Sequence, residues 1–191
     1  MTPDDARWME LAISLAWKAP PSSQAYSVGA VIVGADGQEL SRGFSREGGD
    51  PQAHAEESAL GKLACDDGQP AALPSRAALL SGAALPSRAT LLSGAALLSR
   101  ATLYSTLEPC SRRKSRPCSC TQLILATRSA VDAGRAGDDA GIRRVVVAWR
   151  EPSLFVADCQ GIELLERAGV EVTELGELAG LAKAPNRHLG V

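Results

Sequence analysis

Side chains that can bind or serve a metal ion occur in two short segments of the chain. His54 and Glu56 lie two residues apart, and Cys110 follows far downstream with two more cysteines, Cys118 and Cys120. Imidazole and thiolate groups are the ligands that zinc prefers, and three protein ligands leave a fourth position for water. Because zinc lowers the pKa of such a water to about 7, this set predicts a hydrolytic zinc site.

The individual residues of this set have distinct predicted roles. His54 supplies the nitrogen ligand, since the chain has only two histidines and the other, His188, lies close to its end. Cys110 supplies the first sulfur ligand, because it follows a proline at a turn where backbone N–H groups favour a thiolate. Glu56, on the same first helical turn as His54, can move a proton without binding the metal.

Two other interpretations fit the same residues. A lone His-x-Glu usually marks a helix start, and a lone cysteine is often a small core residue. A closed structural zinc site needs a fourth protein ligand, which the cluster supplies if Cys118 and Cys120 both bind. The joint occurrence of both segments, each after a predicted strand, favours the hydrolytic site. Glu56 favours it too, because a structural site has no use for that carboxylate.

The composition predicts one globular domain, residues 1–191. The chain is 45% apolar with a formal charge of -2, a balance typical of a protein with a sizeable core. This charge provides no basic field for nucleic acid, so we expect no nucleic-acid partner. No apolar stretch approaches the ~18 residues of a membrane span. Five cysteines without a leader segment favour a cytoplasmic location.

Strands alternate with helices along the chain, which predicts an α/β domain with helices on both faces of the sheet. Thr2-Pro3 predicts the start of a first helix, and Asp36-Gly37 predicts a hairpin turn. A second helix is predicted to begin around His54. The predicted strands are 27–33, 39–44, 100–106, 142–149 and 170–172, and two further helices are predicted at 121–126 and 161–168.

A tandem repeat interrupts this order in residues 71–100. Arg76, Arg88 and Arg100 recur every 12 residues, and so short a period does not fit a solenoid unit. We expect a tolerated surface insertion, since a longer loop adds little closure entropy. An extra hairpin or an interface element is the alternative. A second stretch, 131–140, is predicted to form a mobile loop.

The chain resembles the deaminase domain of the bifunctional riboflavin-biosynthesis deaminase/reductase, in the cytidine deaminase-like superfamily. The resemblance covers most of the chain outside the repeat. It implies a three-layer α/β/α sandwich with a central mixed sheet, hydrolytic deamination with bound Zn²⁺, and a homodimer. The segments that carry it are 28–33 (VGAVIV), 54–56 (HAE), 102–110 (TLYSTLEPC), 120–121 (CT) and 141–147 (GIRRVVV).

The resemblance also bears on the third zinc ligand. The family's spacing between its two sulfur ligands falls between the spacings that Cys118 and Cys120 have from Cys110. Cys118 keeps the family's preceding proline, whereas Cys120 keeps the following threonine and the helix that continues from it. Because the helix fixes the direction of the ligand, Cys120 is predicted to bind zinc and Cys118 to be a neighbouring thiol.

Departures from the family pattern bear on the substrate. Ala25-Tyr26 stands where the family has Asn-Pro, and the family's Asn helps to bind the pyrimidine. The loop between the cysteines is rich in cations, which are predicted to bind the phosphate of a nucleotide; a solvated basic loop is the alternative. These cations are Arg112, Arg113, Lys114 and Arg116.

We therefore expect a small heterocyclic substrate, first a diaminopyrimidine ribotide of the riboflavin pathway or an analogue. A free nucleobase or nucleoside of the cytosine or guanine type is the second hypothesis. A non-catalytic, zinc-stabilised binding domain is the third. The family's reductase domain is missing from the sequence, which predicts a stand-alone enzyme.

Overall fold

The computed structural model describes residues 2–63, 97–129 and 141–191. Within these ranges the strands are β1 (Gly29–Val33), β2 (Glu39–Phe44), β3 (Ala101–Ser105), β4 (Ile142–Val147) and β5 (Glu171–Glu174). The α-helices in the same ranges are α1 (Pro3–Ala16), α2 (Ala55–Leu63), α3 (Cys120–Ser129), α4 (Gly161–Arg167) and α5 (Ala179–Lys183). Short 3-10 helices occupy Glu47–Gly49, Gly176–Leu178 and Ala184–Leu189.

The strands form one mixed sheet in the order β2-β1-β3-β4-β5. Strand β1 runs antiparallel to both β2 and β3, whereas β3, β4 and β5 run parallel to one another. One end of the sheet therefore gathers the carboxyl ends of β3 and β4 and the amino end of β1. Ligands of α/β proteins commonly bind at the carboxyl ends of parallel strands.

Two glycines let helices touch the backbone of the sheet. A Cβ on Gly29 would lie 2.0 Å from the carbonyl oxygen of Ala12 in α1, and a Cβ on Gly43 would lie 2.5 Å from that of Ala55 in α2. Gly43 pairs with Ala30, the neighbour of Gly29, so the two glycines point to opposite faces. Helices α1 and α2 therefore cover opposite faces, which confirms the predicted three layers.

The predicted elements are present, with ends that differ by at most three residues. The hairpin turns at Gly37, whose φ is +76°, as Asp36-Gly37 predicts. Helix α1 begins with a reciprocal cap, because Asp5 N–H donates to Thr2 Oγ1 at 3.1 Å and Thr2 N–H donates to Asp5 Oδ2 at 3.2 Å. Helix α5 was not predicted. The repeat, apart from its last residues, and the predicted loop 131–140 lie outside the described residues.

The C-terminal segment is hydrogen-bonded to Ser27, two residues before β1. Asn186 Oδ1 accepts the Ser27 N–H at 2.7 Å, and Asn186 Nδ2 donates to the Ser27 carbonyl at 3.0 Å. The Lys183 ammonium lies 5.0 Å above the ring of Trp149. This segment therefore packs beside the sheet end described above. Across the described ranges, the helices lack the length and apolar character needed to cross a bilayer.

A buried carboxylate joins helix α1 to the sheet. Asp5 Oδ1 accepts hydrogen bonds from Arg144 Nη1 at 2.6 Å and from Tyr104 Oη at 3.0 Å. Arg144 also donates to Thr173 Oγ1 at 3.1 Å, so the contact spans β3, β4 and β5. The hydrogen bond from Arg144 holds the pKa of Asp5 well below its usual range, although burial opposes this effect.

Asp5→Asn is expected to lower the free energy of unfolding at neutral pH by about 2–3 kcal/mol, the worth of hydrogen bonds to a charged group. The pKa of Asp5 is lower in the folded than in the unfolded chain, where it is about 3.9. The Asp5 carboxylate therefore contributes to the free energy of unfolding above that pH and loses this contribution as the pH falls. The difference between the wild-type chain and the Asp5→Asn variant should shrink below about pH 4.

Urea unfolding across this pH range measures the deficit. Asp4→Asn, at an exposed position in the same helical turn, is the matched control and should change little. A deficit that stays constant into the acidic range would contradict the role assigned to the Asp5 carboxylate.

Candidate metal centre and active site

His54 caps the amino end of helix α2. Its carbonyl accepts the Ser58 N–H at 2.9 Å, and its own N–H donates to Glu57 Oε2 at 3.3 Å. A return bond from a carboxylate three residues on is a capping interaction that fixes the start of a helix. Because α2 contacts β2 at Gly43, the cap carries His54 and Glu56 to the sheet end where β3 terminates.

Glu56 is buried beside the end of β3, with 3% of its surface exposed. Ser105 Oγ donates to Glu56 Oε1 at 3.2 Å, and Cys120 Sγ lies 3.4 Å from Glu56 Oε2. Burial raises the pKa of this carboxyl group. One oxygen is therefore held by the sheet, while the other faces the sulfur atoms.

Cys110 and Cys120 stand at the two ends of the loop that follows β3. Cys120 opens helix α3, and its N–H donates to Cys110 Sγ at 3.4 Å. Thr121 fastens both ends, because its N–H donates to the Cys110 carbonyl at 3.2 Å and its hydroxyl donates to the Pro109 carbonyl at 3.1 Å. The loop closes on itself and brings its two sulfur atoms together.

Three potential metal ligands meet beside Glu56. Ligand atoms of His54, Cys110 and Cys120 lie within 4.8 Å of one another. His54 Nδ1 is 3.6 Å from Cys110 Sγ and 3.3 Å from Cys120 Sγ. Zinc bond lengths place tetrahedral nitrogen and sulfur ligands about 3.5 Å apart, so these atoms fit one zinc ion. In the part of the chain that the structure describes, Cys118 does not join the group.

The two thiols of this group differ in acidity. The hydrogen bond from Cys120, together with His54, lowers the pKa of Cys110. The same hydrogen bond and complete burial raise the pKa of Cys120. Cys110 therefore loses its proton more readily than Cys120, and coordination to a metal ion would deprotonate both thiols. Such a soft donor set suits zinc.

The four cations of the loop between the cysteines do not share one environment. Arg113 is buried and pairs with Glu57 at 2.8 Å, and Arg116 pairs with Asp50. The remaining two cations, Arg112 and Lys114, are exposed. All four were predicted to bind substrate phosphate, and the two exposed ones face solvent.

An aromatic group lies at the same end of the sheet. Tyr26 precedes β1 and packs edge-on against Trp149 and Phe155, whose ring centroids are 5.5 Å and 4.8 Å away. Trp149 follows β4, and its carbonyl accepts the Glu108 N–H at 3.0 Å. Tyr26 Oη and Trp149 Nε1 are buried without a hydrogen-bond partner among the described residues. Such atoms are rare in folded proteins and are commonly satisfied by a bound molecule or water.

Glu151 lies two residues after Trp149. Burial, then the negative charges of Cys110 and Glu108, raises the pKa of its carboxyl group to about 8. The carboxyl group therefore carries a proton at neutral pH and can both donate and accept a hydrogen bond. Glu151 Oε1 has no partner among the residues that the structure describes.

Glu57, Asp50 and the aromatic group were not predicted from the sequence. Glu57 lies three residues after His54, the spacing of a capping carboxylate, so its bond to His54 was predictable from the sequence. Its pairing with Arg113 was not predictable in this way, because 56 residues separate the two. Tyr26 and Trp149 come from distant strand ends and share no motif.

The fold and the metal-ligand group define a class of protein, the zinc-dependent deaminases. Residues 2–132 match the family model described as the cytidine and deoxycytidylate deaminase zinc-binding region, and the chain belongs to this family. The match agrees with the predicted fold and with Zn²⁺ as the metal. One curated relative is the diaminohydroxyphosphoribosylamino-pyrimidine deaminase of Schizosaccharomyces pombe, 33% identical over 167 residues.

Two solved structures are also similar to this chain in sequence and in fold. RibD of Acinetobacter baumannii, form 1, is 29% identical with a TM-score of 0.61, covering 97% of this chain and 38% of that one. The Rib2 deaminase of Aspergillus oryzae, a C-terminal deletion mutant at pH 4.6, is 25% identical with a TM-score of 0.65, covering 97% and 96%. The curated relative is matched over 87% of this chain but only 31% of its own length.

Purified protein is expected to contain about one zinc ion per chain, and Cys120→Ser should lose it. Cys118→Ser, in the same loop but outside the ligand group, is the matched control and should keep the metal. Mass-spectrometric metal analysis of both variants measures this difference. Loss of zinc from the Cys118 variant alone would transfer the ligand role to Cys118.

Proposed function

We propose that this chain hydrolytically deaminates an aminopyrimidine, with zinc held by His54, Cys110 and Cys120 and with Glu56 as the catalytic proton carrier. The observation that carries this proposal is the buried Glu56 carboxyl beside three atoms that fit a zinc ion. When bound, zinc lowers the pKa of a water to about 7 and supplies a hydroxide nucleophile. A purely structural site, or a non-catalytic binding domain, has no use for Glu56.

The two oxygens of Glu56 have different tasks. Ser105 holds Oε1 at 3.2 Å, which orients the carboxyl group, while Oε2 faces the metal ligands. We assign to Oε2 two proton transfers: the first proton of water passes to the ring nitrogen as oxygen adds to the carbon, and the second, from the new hydroxyl group, passes to the amine, which departs as ammonia while the carbonyl forms. Burial raises the pKa of Glu56, which suits a group that accepts and later donates a proton. The products are a carbonyl compound and ammonia.

The proposed substrate is an aminopyrimidine nucleotide, a diaminopyrimidine ribotide of the riboflavin pathway or an analogue. The printed function of the Schizosaccharomyces pombe relative supports this class. Exposed Arg112 and Lys114, between the two sulfur ligands, provide cations for a phosphate.

A free nucleobase or nucleoside is the second candidate substrate. Two observations favour it: Arg113 and Arg116 are already paired with carboxylates, and Ala25-Tyr26 replaces the family's Asn-Pro. A smaller cationic surface would bind phosphate less strongly. The homodimer and the cytoplasmic location stay predictions.

Glu56→Gln is expected to keep zinc yet lower kcat by about 10²–10⁴-fold, since the amide cannot carry the proton. Ammonia release, screened across aminopyrimidines, purines and their nucleosides and nucleotides, measures the rate. Glu166→Gln removes an exposed carboxylate elsewhere and should leave the rate unchanged. A Glu56 variant that releases ammonia at the wild-type rate would remove Glu56 from the mechanism.

The double variant Arg112→Gln/Lys114→Gln should raise KM for a nucleotide by about 10–100-fold, the worth of one or two charged hydrogen bonds. The KM for the corresponding nucleoside should stay unchanged. Lys18→Gln, which removes an exposed cation outside the loop, is the control. Equal effects on nucleotide and nucleoside would favour the second candidate substrate.

A further inference from the structure

The loop that carries the two sulfur ligands is joined to helix α2 by a buried ion pair. Arg113 Nη2 lies 2.8 Å from Glu57 Oε2, and the side chains are only 3% and 7% exposed. Arg113 belongs to the loop between Cys110 and Cys120, and Glu57 belongs to the first turn of α2. The pair therefore connects the two segments that supply the metal ligands.

Arg113 contacts the backbone on one side of His54 and a side chain on the other. Its guanidinium donates to the Gln52 carbonyl, two residues before His54, and to Glu57, three residues after it. Glu57 Oε2 also accepts the His54 N–H at 3.3 Å. One carboxylate oxygen thus joins the backbone of the nitrogen ligand to the loop of the sulfur ligands.

A second arginine adds to the same connection. Arg116 pairs with Asp50, which precedes α2, and its Nε lies 3.6 Å from Glu57 Oε1. Arg113 and Arg116 thus both contact Glu57, one at each carboxylate oxygen. Two contacts with Glu57 restrict rotation of the loop relative to α2 more than one contact would.

Stability alone does not account for a buried pair of this kind. Removing two charges from water is unfavourable, and well-packed apolar side chains of similar volume often stabilise a protein as much or more. A planar guanidinium that bonds a carboxylate and a carbonyl does, however, fix distance and direction. Residues that orient metal ligands in this manner commonly change metal affinity when they are replaced.

We propose that Arg113 and Glu57 are positioning residues of the zinc site, which hold Cys110 and Cys120 at the correct distance from His54. This inference rests on the proposed function, because it takes these three residues as the zinc ligands. It assigns Arg113 to the assembly of the metal site rather than to the substrate phosphate. The phosphate-binding role is then left to the exposed Arg112 and Lys114.

Arg113→Gln and Glu57→Gln are each expected to weaken zinc binding by about 10–100-fold. Competition with a chromophoric chelator measures the dissociation constant. The double variant should be little worse than either single variant, because each substitution already breaks the same contact. Arg113→Lys keeps the charge but loses the hydrogen bond from Nε to Ser115 within the loop, so it should also weaken binding. Arg42→Gln, which breaks an exposed ion pair with Glu39, is the matched control and should bind zinc normally.

Cobalt(II) substitution separates positioning from general destabilisation. The d–d absorption of bound cobalt reports tetrahedral geometry and should change in the Arg113 and Glu57 variants but not in the Arg42 control. Thermal unfolding of the metal-free proteins should show that the variants still fold. Wild-type zinc affinity and an unchanged cobalt spectrum in the variants would overturn this inference alone. A wild-type chain that binds no zinc would overturn both the inference and the proposed function.

Discussion

Helix α2 touches the backbone of strand β2 at Gly43, and the position of the candidate active site depends on this contact. Any side chain at Gly43 would displace the first turn of α2, where a Cβ would come within 2.5 Å of the Ala55 carbonyl oxygen. The same first turn carries Glu56 and is capped by His54. A shift of about 1 Å there is a large part of a zinc–ligand bond length. The absence of one methyl group therefore lets α2 bring His54 close to the sulfur atoms that lie beyond the carboxyl end of β3.

Local signals in the sequence were sufficient for the five strands and for four of the five described helices. The Thr2-Pro3 start, the Asp36-Gly37 turn and the apolar run into Val147 each reflect a physical preference expressed within a few residues. The surroundings of the ligands were less accessible. From the sequence alone, Arg113 is one of several cations in a basic loop, because its acidic partner, Glu57, belongs to another element. The shifted strand ends have a similar cause, since tertiary hydrogen bonds decide where a ladder stops.

Charge is distributed around the site in layers. In the part of the chain that the structure describes, the Glu56 carboxyl group and two sulfur atoms lie innermost. Arg113 and Arg116 pair with carboxylates behind them, and the exposed Arg112 and Lys114 lie at the rim. Because zinc contributes two positive charges, Glu56, Cys110 and Cys120 together form a site that is less negative when the metal is bound. Glu151 adds a further carboxyl group near the site, and burial raises its pKa.

The two hydrogen bonds between Asn186 and Ser27 join residues that are 159 positions apart. Synthesis proceeds from the amino terminus, so His54 and Glu56 leave the ribosome long before Asn186 does. Until that residue emerges, the backbone beside Tyr26 lacks its two hydrogen bonds to the C-terminal segment. The segment that leads into β1 is thus fixed only after the rest of the sheet has been synthesised. The order of translation separates the emergence of His54 and Glu56 from the anchoring of the backbone beside Tyr26.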